Sequence, residues 1–324
     1  MPEMRVIYAE TLLELAQKDE RIVVLEADLM RANGTTIFKD RFPERSINLG
    51  VAEANMVGVA AGLCAVGKIP FANTFASFAG RRDYDQFFLM SNYARLNVKL
   101  VGTDPGILAA YNGGTHMPFE DVGLMRNIPR CVVVEPADGV ALKKLLPQIA
   151  YHPGSVYMRL NRKASPAVHS EGTEFSLGKA NVVQDGTDVA IFATGCILVP
   201  EAVEAARLLA AEGISAAVVD FHTIKPIDRE TILHYAEATG RILTCENHQI
   251  VNGLGSAVAE VLSENRPTLL ARLGVNEQFG QVGDVEYLKK AYGLDSQTIC
   301  ARTRQLLASP AGKKLTAAEA SGIE

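Results

Sequence analysis

Short apolar runs alternating with helix-length stretches recur twice along this 324-residue chain, and that alternation constrains its fold more than any single residue does. Ile22-Val23-Val24-Leu25, Val98-Lys99-Leu100-Val101, Cys131-Val132-Val133-Val134 and Val156-Tyr157-Met158 are separated by helical patterns near 4–18, 52–66, 81–95 and 137–151. Strands alternating with helices imply a parallel sheet covered on both faces. The pattern breaks at Lys163-Ala164-Ser165-Pro166, Ser170-Glu171-Gly172-Thr173 and Gln184-Asp185-Gly186, which read as an interdomain connection. It restarts with Asp188-Val189-Ala190-Ile191-Phe192, a helix near 198–213, Ala216-Ala217-Val218-Val219, a helix near 228–238 and Arg241-Ile242-Leu243-Thr244. The expected fold class is α/β, with two three-layer α/β/α domains and mostly parallel sheets. The expected boundaries are 1–165 for the first domain, 166–186 for a linker, 187–308 for the second domain and 309–324 for a disordered tail.

This length suits two domains of about 150 residues each. No tract of eighteen apolar residues occurs, so no membrane span is expected. The formal charge of −5 comes from interspersed signs, and no basic stripe interleaves with aromatics. That argues against a general nucleic-acid surface and leaves any phosphate binding local. Cys64, Cys131, Cys196, Cys245 and Cys300 are odd in number and sit in apolar or strand-like contexts, as reduced core thiols do. Glu3, Glu10 and Glu14 interrupt the first twenty residues, so no signal peptide is read and the expected location is cytoplasmic.

Several residues stand out against this background. Ser46-Ile47-Asn48-Leu49 reads as a short buried strand, and a turn at Gly50 then leads into a helix that opens on Glu53. Ala54, Gly58, Ala61, Gly62 and Ala65 make that helix narrow enough for a neighbouring helix or subunit to approach closely, which would leave Glu53 poorly solvated. Burial raises a carboxyl pKa and the helix dipole lowers it. On spacing alone, Glu53 is equally a plain helix-start glutamate. Phe75 and Phe78, three apart, can lie on one side of a turn, although core packing is the ordinary fate of phenylalanine. A long glycine-rich loop from Gly102 to Pro118 follows a buried strand, the place where parallel sheets set their sites, and it carries His116. Met158-Arg159-Leu160-Asn161-Arg162 ends a strand with two guanidinium groups, which at a strand end are usually solvated. Asn252-Gly253-Leu254-Gly255-Ser256 opens a helix whose free amides could hold an anion, though a glycine-assisted turn explains it as well.

Taken together and in order, these motifs resemble the transketolase family from about residue 5 to residue 308, including Cys245-Glu246-Asn247-His248. The resemblance implies that Glu53 hydrogen-bonds ring nitrogen N1′ of the aminopyrimidine of thiamine diphosphate and that Phe75 and Phe78 hold that ring. It implies that His116 serves a substrate hydroxyl, that Arg162 and Arg5 bind a sugar phosphate, and that Asp28 faces the cofactor. Many family members carry histidine where this chain has Asp104 and aspartate where it has Asn112, so an altered sugar pose is expected, with a branched or unusual pentulose phosphate as donor.

The family's Gly-Asp-Gly motif for diphosphate and metal does not occur; Gln184-Asp185-Gly186 and Gly283-Asp284-Val285 are its nearest strings. The chain therefore resembles the C-terminal subunit of a split transketolase. That implies a partner N-terminal pyrophosphate-domain subunit holding Mg2+ or Ca2+, an α2β2 heterotetramer, and no metal ligands in this chain. The rivals are the β subunit of a 2-oxoacid dehydrogenase and a noncatalytic subunit that keeps the fold. Thr115-His116 and the phenylalanine pair favour transketolase.

Overall fold

The computed structural model describes residues 2–309. Seven strands form the first sheet: β1 (Ile22–Glu26), β2 (Ser46–Asn48), β3 (Ile69–Phe75), β4 (Lys99–Thr103), β5 (Val132–Val134), β6 (Val156–Leu160) and, from later in the chain, β10 (Thr223–Lys225). Their order is β10-β5-β6-β4-β3-β1-β2, parallel except where β10 meets β5. A second sheet orders β12 (Leu269–Val275), β11 (Arg241–Gln249), β8 (Val189–Ala193), β9 (Ala216–Asp220) and β7 (Asn181–Gln184). It is parallel except at the β7 edge.

Strand burial explains the continuous apolar runs. Along β1, Ile22 and Val24 enter one core with Tyr8, Leu12 and Leu145, while Val23 and Leu25 enter the opposite core with Met56, Val57 and Phe87. Helices Met4–Lys18 and Gly139–Tyr151 cover one face, and Glu53–Ala65 covers the other. In the second sheet, β8 likewise sends Val189 and Ile191 to one side and Ala190 and Phe192 to the other. The expected α/β architecture with helices on both faces is present in both sheets.

Four local expectations need correction. β2 is not buried: it is an edge strand paired only with β1, and Ser46, Ile47 and Asn48 are half-buried or exposed. The single helix expected over 81–95 is instead a short helix Ala76–Arg81, a break at Arg82-Asp83, and a turn that widens to π-helical spacing over Phe87–Tyr93. The segment read as a linker contains β7, whose burial alternates beside polar turn residues and leaves no apolar run to mark it. The disordered tail read over 309–324 lies, apart from Ser309, outside the described residues.

The two sheets are joined by a buried ion cluster. Arg159, on central strand β6, is 1% exposed; it donates from Nε and Nη2 to Asp121 at 2.8 and 2.9 Å, from Nη1 to Glu135 at 3.0 Å, and from Nη2 to the Asn247 carbonyl at 3.1 Å. Burial pushes the Asp121 carboxyl up, yet the Arg159 charge and its hydrogen bonds more than offset this and leave it below the usual carboxylate range. Glu135 stays raised by burial, with Arg159 only partly compensating. Arg159 is thus a cross-domain clamp and not a solvated strand end.

Candidate active site

The candidate residues collect at the carboxyl ends of the first sheet, where the order reverses between β1 and β3 and where open parallel sheets form crevices. Asp28 follows β1, Glu53 follows β2, Phe75 ends β3, Asp104 follows β4 and Arg162 follows β6. Gly50, at φ +73°, turns the chain so that Glu53 becomes the first helical residue. Its carboxylate is 4% exposed and sits at the positive end of the helix dipole.

Glu53 is held by a residue that no motif marks in the sequence. Arg82 Nη1 donates to Glu53 Oε1 at 2.7 Å, and the same guanidinium lies 3.9 Å from the Phe78 ring centroid. Asp83 is fully buried beside them, and neither of its carboxyl oxygens has a hydrogen-bond partner among the described residues. Burial, reinforced by the nearby Glu53 charge, pushes the Asp83 carboxyl up to about 8. Of the two carboxyls flanking Arg82, Asp83 is thus the neutral one at pH 7.

The aromatic wall is compact. Phe75 and Phe78 lie 5.9 Å apart between ring centroids, and the His116 ring stands edge-on to both, at 6.0 and 5.1 Å. Both phenylalanines are only partly buried, so neither is core filler. The helix that carries Phe78 sits tightly on the sheet because Gly102 of β4 has no side chain: a Cβ there would lie 2.9 Å from the Ala76 Cα. His116 comes from the loop after β4, and its Nδ1 is 2.9 Å from Thr115 Oγ1. Arg81 donates to the Thr115 carbonyl at 3.1 Å and to Glu120 at 2.6 Å, which fastens this end of the loop. The other end is fastened from the second domain. Asn247 donates to the Pro105 carbonyl at 3.0 Å and accepts from the Ile107 amide at 3.0 Å.

The two arginines expected to bind phosphate are both already paired. Arg162 Nε donates to Asp104 Oδ2 at 2.6 Å, its Nη2 meets the same oxygen, and its guanidinium lies 4.9 Å from the Phe75 centroid. Arg5 binds Glu3 through Nε and Nη2 at 2.7 and 2.6 Å and the Ala32 carbonyl at 3.0 Å. Its backbone amide meets the Arg162 carbonyl at 3.4 Å, so the two arginines are neighbours. Asp104 and Asn112 both line a cavity of about 550 Å³ that also touches Arg162, Tyr111, Cys196 and Lys289. Asp28 is exposed and exchanges hydrogen bonds with Asn48 at 3.0 and 3.2 Å, apart from the aromatic wall. The helix opening at Gly253 is closed internally, since Glu246 accepts from the Leu254 and Gly255 amides at 2.7 and 2.9 Å. Among the described residues, no group of three or more His, Cys, Asp or Glu side chains could hold a metal ion, and no helix is long and apolar enough to cross a membrane.

Two sheets of this topology, with a buried acid, an aromatic wall and a loop histidine at their shared mouth, define a transketolase-type pyrimidine-binding unit joined to a second α/β domain. Family models agree: the transketolase pyrimidine-binding domain matches residues 1–167 and the transketolase C-terminal domain matches residues 178–299. The chain belongs to the transketolase family, in which it corresponds to the C-terminal subunit of a split enzyme. It is 53% identical to the 6-deoxy-6-sulfo-D-fructose transketolase subunit SqwH of Clostridium sp. (strain MSTE9), over 91% of this chain and 92% of that one. It is 37% identical to one of the subunits of the apulose-4-phosphate transketolase of Phocaeicola vulgatus, over 90% and 94% respectively. A solved structure described as a split gene transketolase, inactive β4 tetramer, superposes with a TM-score of 0.89 at 43% identity, covering 95% of this chain and 99% of that chain.

Proposed function

We propose that this chain supplies the pyrimidine side of a two-chain transketolase that moves a two-carbon ketol unit from a ketose to an aldose acceptor. The observation that carries this reading is the convergence of Glu53, Phe75, Phe78 and His116 on one mouth of the sheet. These residues fit an aminopyrimidine. A buried carboxylate faces a flat N–H-bearing cation that also lies over an aromatic ring, and the Arg82 guanidinium already meets both demands. Thiamine diphosphate, when bound, supplies the nucleophilic carbon that takes up the ketol unit.

The chain's own residues would then divide the remaining work. Glu53 accepts a hydrogen bond from the ring nitrogen and holds that proton in place, in a setting too dry for water to compete. Phe75 and Phe78 fix the ring plane by stacking. His116, with Nδ1 committed to Thr115, keeps Nε2 for proton exchange with a sugar hydroxyl. Diphosphate and metal ligands would come from a partner subunit. The outer face of the Glu53 helix suits such docking: nothing lies within 4 Å of a Cβ built at Gly62, and Val66, Leu89, Met90 and Tyr93 are exposed nearby. Alone, the chain is expected to show no ketol transfer, as the inactive β4 relative does, and to bind thiamine diphosphate weakly. Adding the partner should restore both properties. Micromolar, magnesium-dependent binding by this chain alone, worth about 8 kcal/mol, would refute the shared site.

The donor sugar follows from charge. A phosphomonoester carries close to two negative charges at pH 7 and a sulfonate carries one. Asp104 cancels Arg162 and Glu3 cancels Arg5, so the end pocket has less positive charge to offer a dianion than two free guanidiniums would have. We therefore place a sulfo-ketose of the kind named for the 53% relative ahead of an unusual pentulose phosphate. Comparing kcat/KM for 6-deoxy-6-sulfofructose and xylulose 5-phosphate in the assembled enzyme tests this. Asp104→His with Asn112→Asp should move the preference toward phosphate by about tenfold or more, the range of one lost charge-assisted contact. If the wild type prefers xylulose 5-phosphate and the double variant keeps that ranking, these positions do not set specificity.

A further inference from the structure

Arg82 makes, at one time, the two contacts that an aminopyrimidine would need here. Its guanidinium is planar and cationic, donates an N–H to Glu53 Oε1 at 2.7 Å and lies 3.9 Å from the Phe78 centroid. Neither contact is forced by burial, because the Arg82 side chain is 47% exposed and could reach water instead. Its sequence neighbour Asp83 offers an alternative carboxyl that Arg82 does not bond, and Asp83 is left without a hydrogen-bond partner among the described residues. The backbone also favours movement. Arg82 and Asp83 form the break between the helix Ala76–Arg81 and the short turn beginning at Tyr84, so a side-chain swing at 82 disrupts no continuous helix.

We propose that Arg82 is an intramolecular plug for the aminopyrimidine place, a guanidinium that holds Glu53 and Phe78 together and leaves when the cofactor ring enters. The inference rests on the reading of Glu53 and Phe78 as the ring's partners. One planar donor then exchanges for another: the Glu53–Arg82 hydrogen bond breaks, the Glu53–ring hydrogen bond forms, and the guanidinium turns out to solvent. Arg81, which fastens Thr115 and Glu120, keeps the His116 loop in place during the exchange. A pocket closed to its ligand for most of the time loses apparent affinity by the fraction left open. If the plug is seated about nine-tenths of the time, that loss is about tenfold.

The test uses the full chain without its partner and, as probe, the cofactor's pyrimidine half alone, 4-amino-5-hydroxymethyl-2-methylpyrimidine, which needs no diphosphate site. Isothermal calorimetry should show Arg82→Met binding this probe about tenfold more tightly than wild type. Arg82→Lys, which keeps the charge but lacks the flat fork, should recover most of the same gain. Melting temperatures within a few degrees of wild type would show that both variants are folded. Glu53→Gln should weaken binding in the wild-type and Arg82→Met backgrounds alike. If Arg82→Met and Arg82→Lys bind the probe no better than wild type while Glu53→Gln still weakens it, the plug is overturned and the pyrimidine site stands. Insensitivity to Glu53→Gln in both backgrounds overturns the pyrimidine reading, and the plug with it.

Discussion

Glu53→Gln is expected to leave the assembled enzyme folded and to slow hydrogen–deuterium exchange at the thiazolium C2 of bound thiamine diphosphate by about two to four decades, the range for a positioned proton-transfer group. That is about 3 to 5 kcal/mol of barrier. Glutamine keeps the side chain's length and can still accept a hydrogen bond, so the helix start and the pocket shape survive. It cannot hold the ring-nitrogen proton as a carboxylate does, and its effect therefore falls on exchange and turnover more than on cofactor affinity. The protein also loses a charge partner for Arg82, but that pair is half-exposed and contributes little to folding. Exchange at the wild-type rate would reduce Glu53 to a helix-start carboxylate, the plain reading its spacing allows. C2 exchange separates this outcome from substrate effects, because it is read before any sugar is added.

The sheet architecture is legible in the sequence because both faces of most strands are buried, which leaves near-continuous apolar runs such as Ile22–Leu25 and Val132–Val134. The same logic hides what lies at the edges. β2, β7 and β10 are three or four residues long and pair on one side only, so their sequences carry half-buried or mixed patterns. β10 is out of reach for a further reason: it leaves the second half of the chain to close the first sheet, and no local signal announces a long-range antiparallel pair.

The candidate site is legible residue by residue but not as a charge arrangement. Glu53, Phe75, Phe78 and His116 stand out in the sequence and do come together. The partners that neutralise the charged site residues have no local signature. Asp104 reads as a carboxylate repelling phosphate, whereas it also takes Arg162 for itself. Arg81 and Arg82 read as one charged stretch, yet they point to different tasks, one to the His116 loop and one to Glu53. A usable signal is present at Arg159. Val156, Tyr157, Met158 and Leu160 are apolar on both sides of it, so an arginine at that position of a central strand has to be buried and paired.

Arg159→Met should therefore be strongly destabilising, lowering the unfolding free energy by about 3 to 5 kcal/mol, as is typical when one partner of a buried ion pair is removed. Methionine fills much of the volume, so the loss comes from charge: Asp121 and Glu135 would remain buried without their shared cation, and the Asn247 carbonyl would lose its donor. The sign of the pH dependence follows. In the wild type, Asp121 titrates below its unfolded value, so its contribution is present above the unfolded pKa of about 4 and fades as pH falls through the lower folded value. Without Arg159, burial alone pushes both carboxyls up, and the folded state then binds protons more readily than the unfolded one. The stability gap between variant and wild type should be widest near pH 7 and narrow as pH falls and the stranded carboxyls take up protons. Chemical denaturation at pH 7 and pH 5, with Arg159→Met/Asp121→Asn/Glu135→Gln as a charge-free control, measures this. The control should recover most of the loss, because replacing a whole buried ion cluster costs far less than stranding half of it. Equal losses at both pH values, with no recovery in the control, would mean that Arg159 acts through packing and that its clamp on the two domains is not electrostatic.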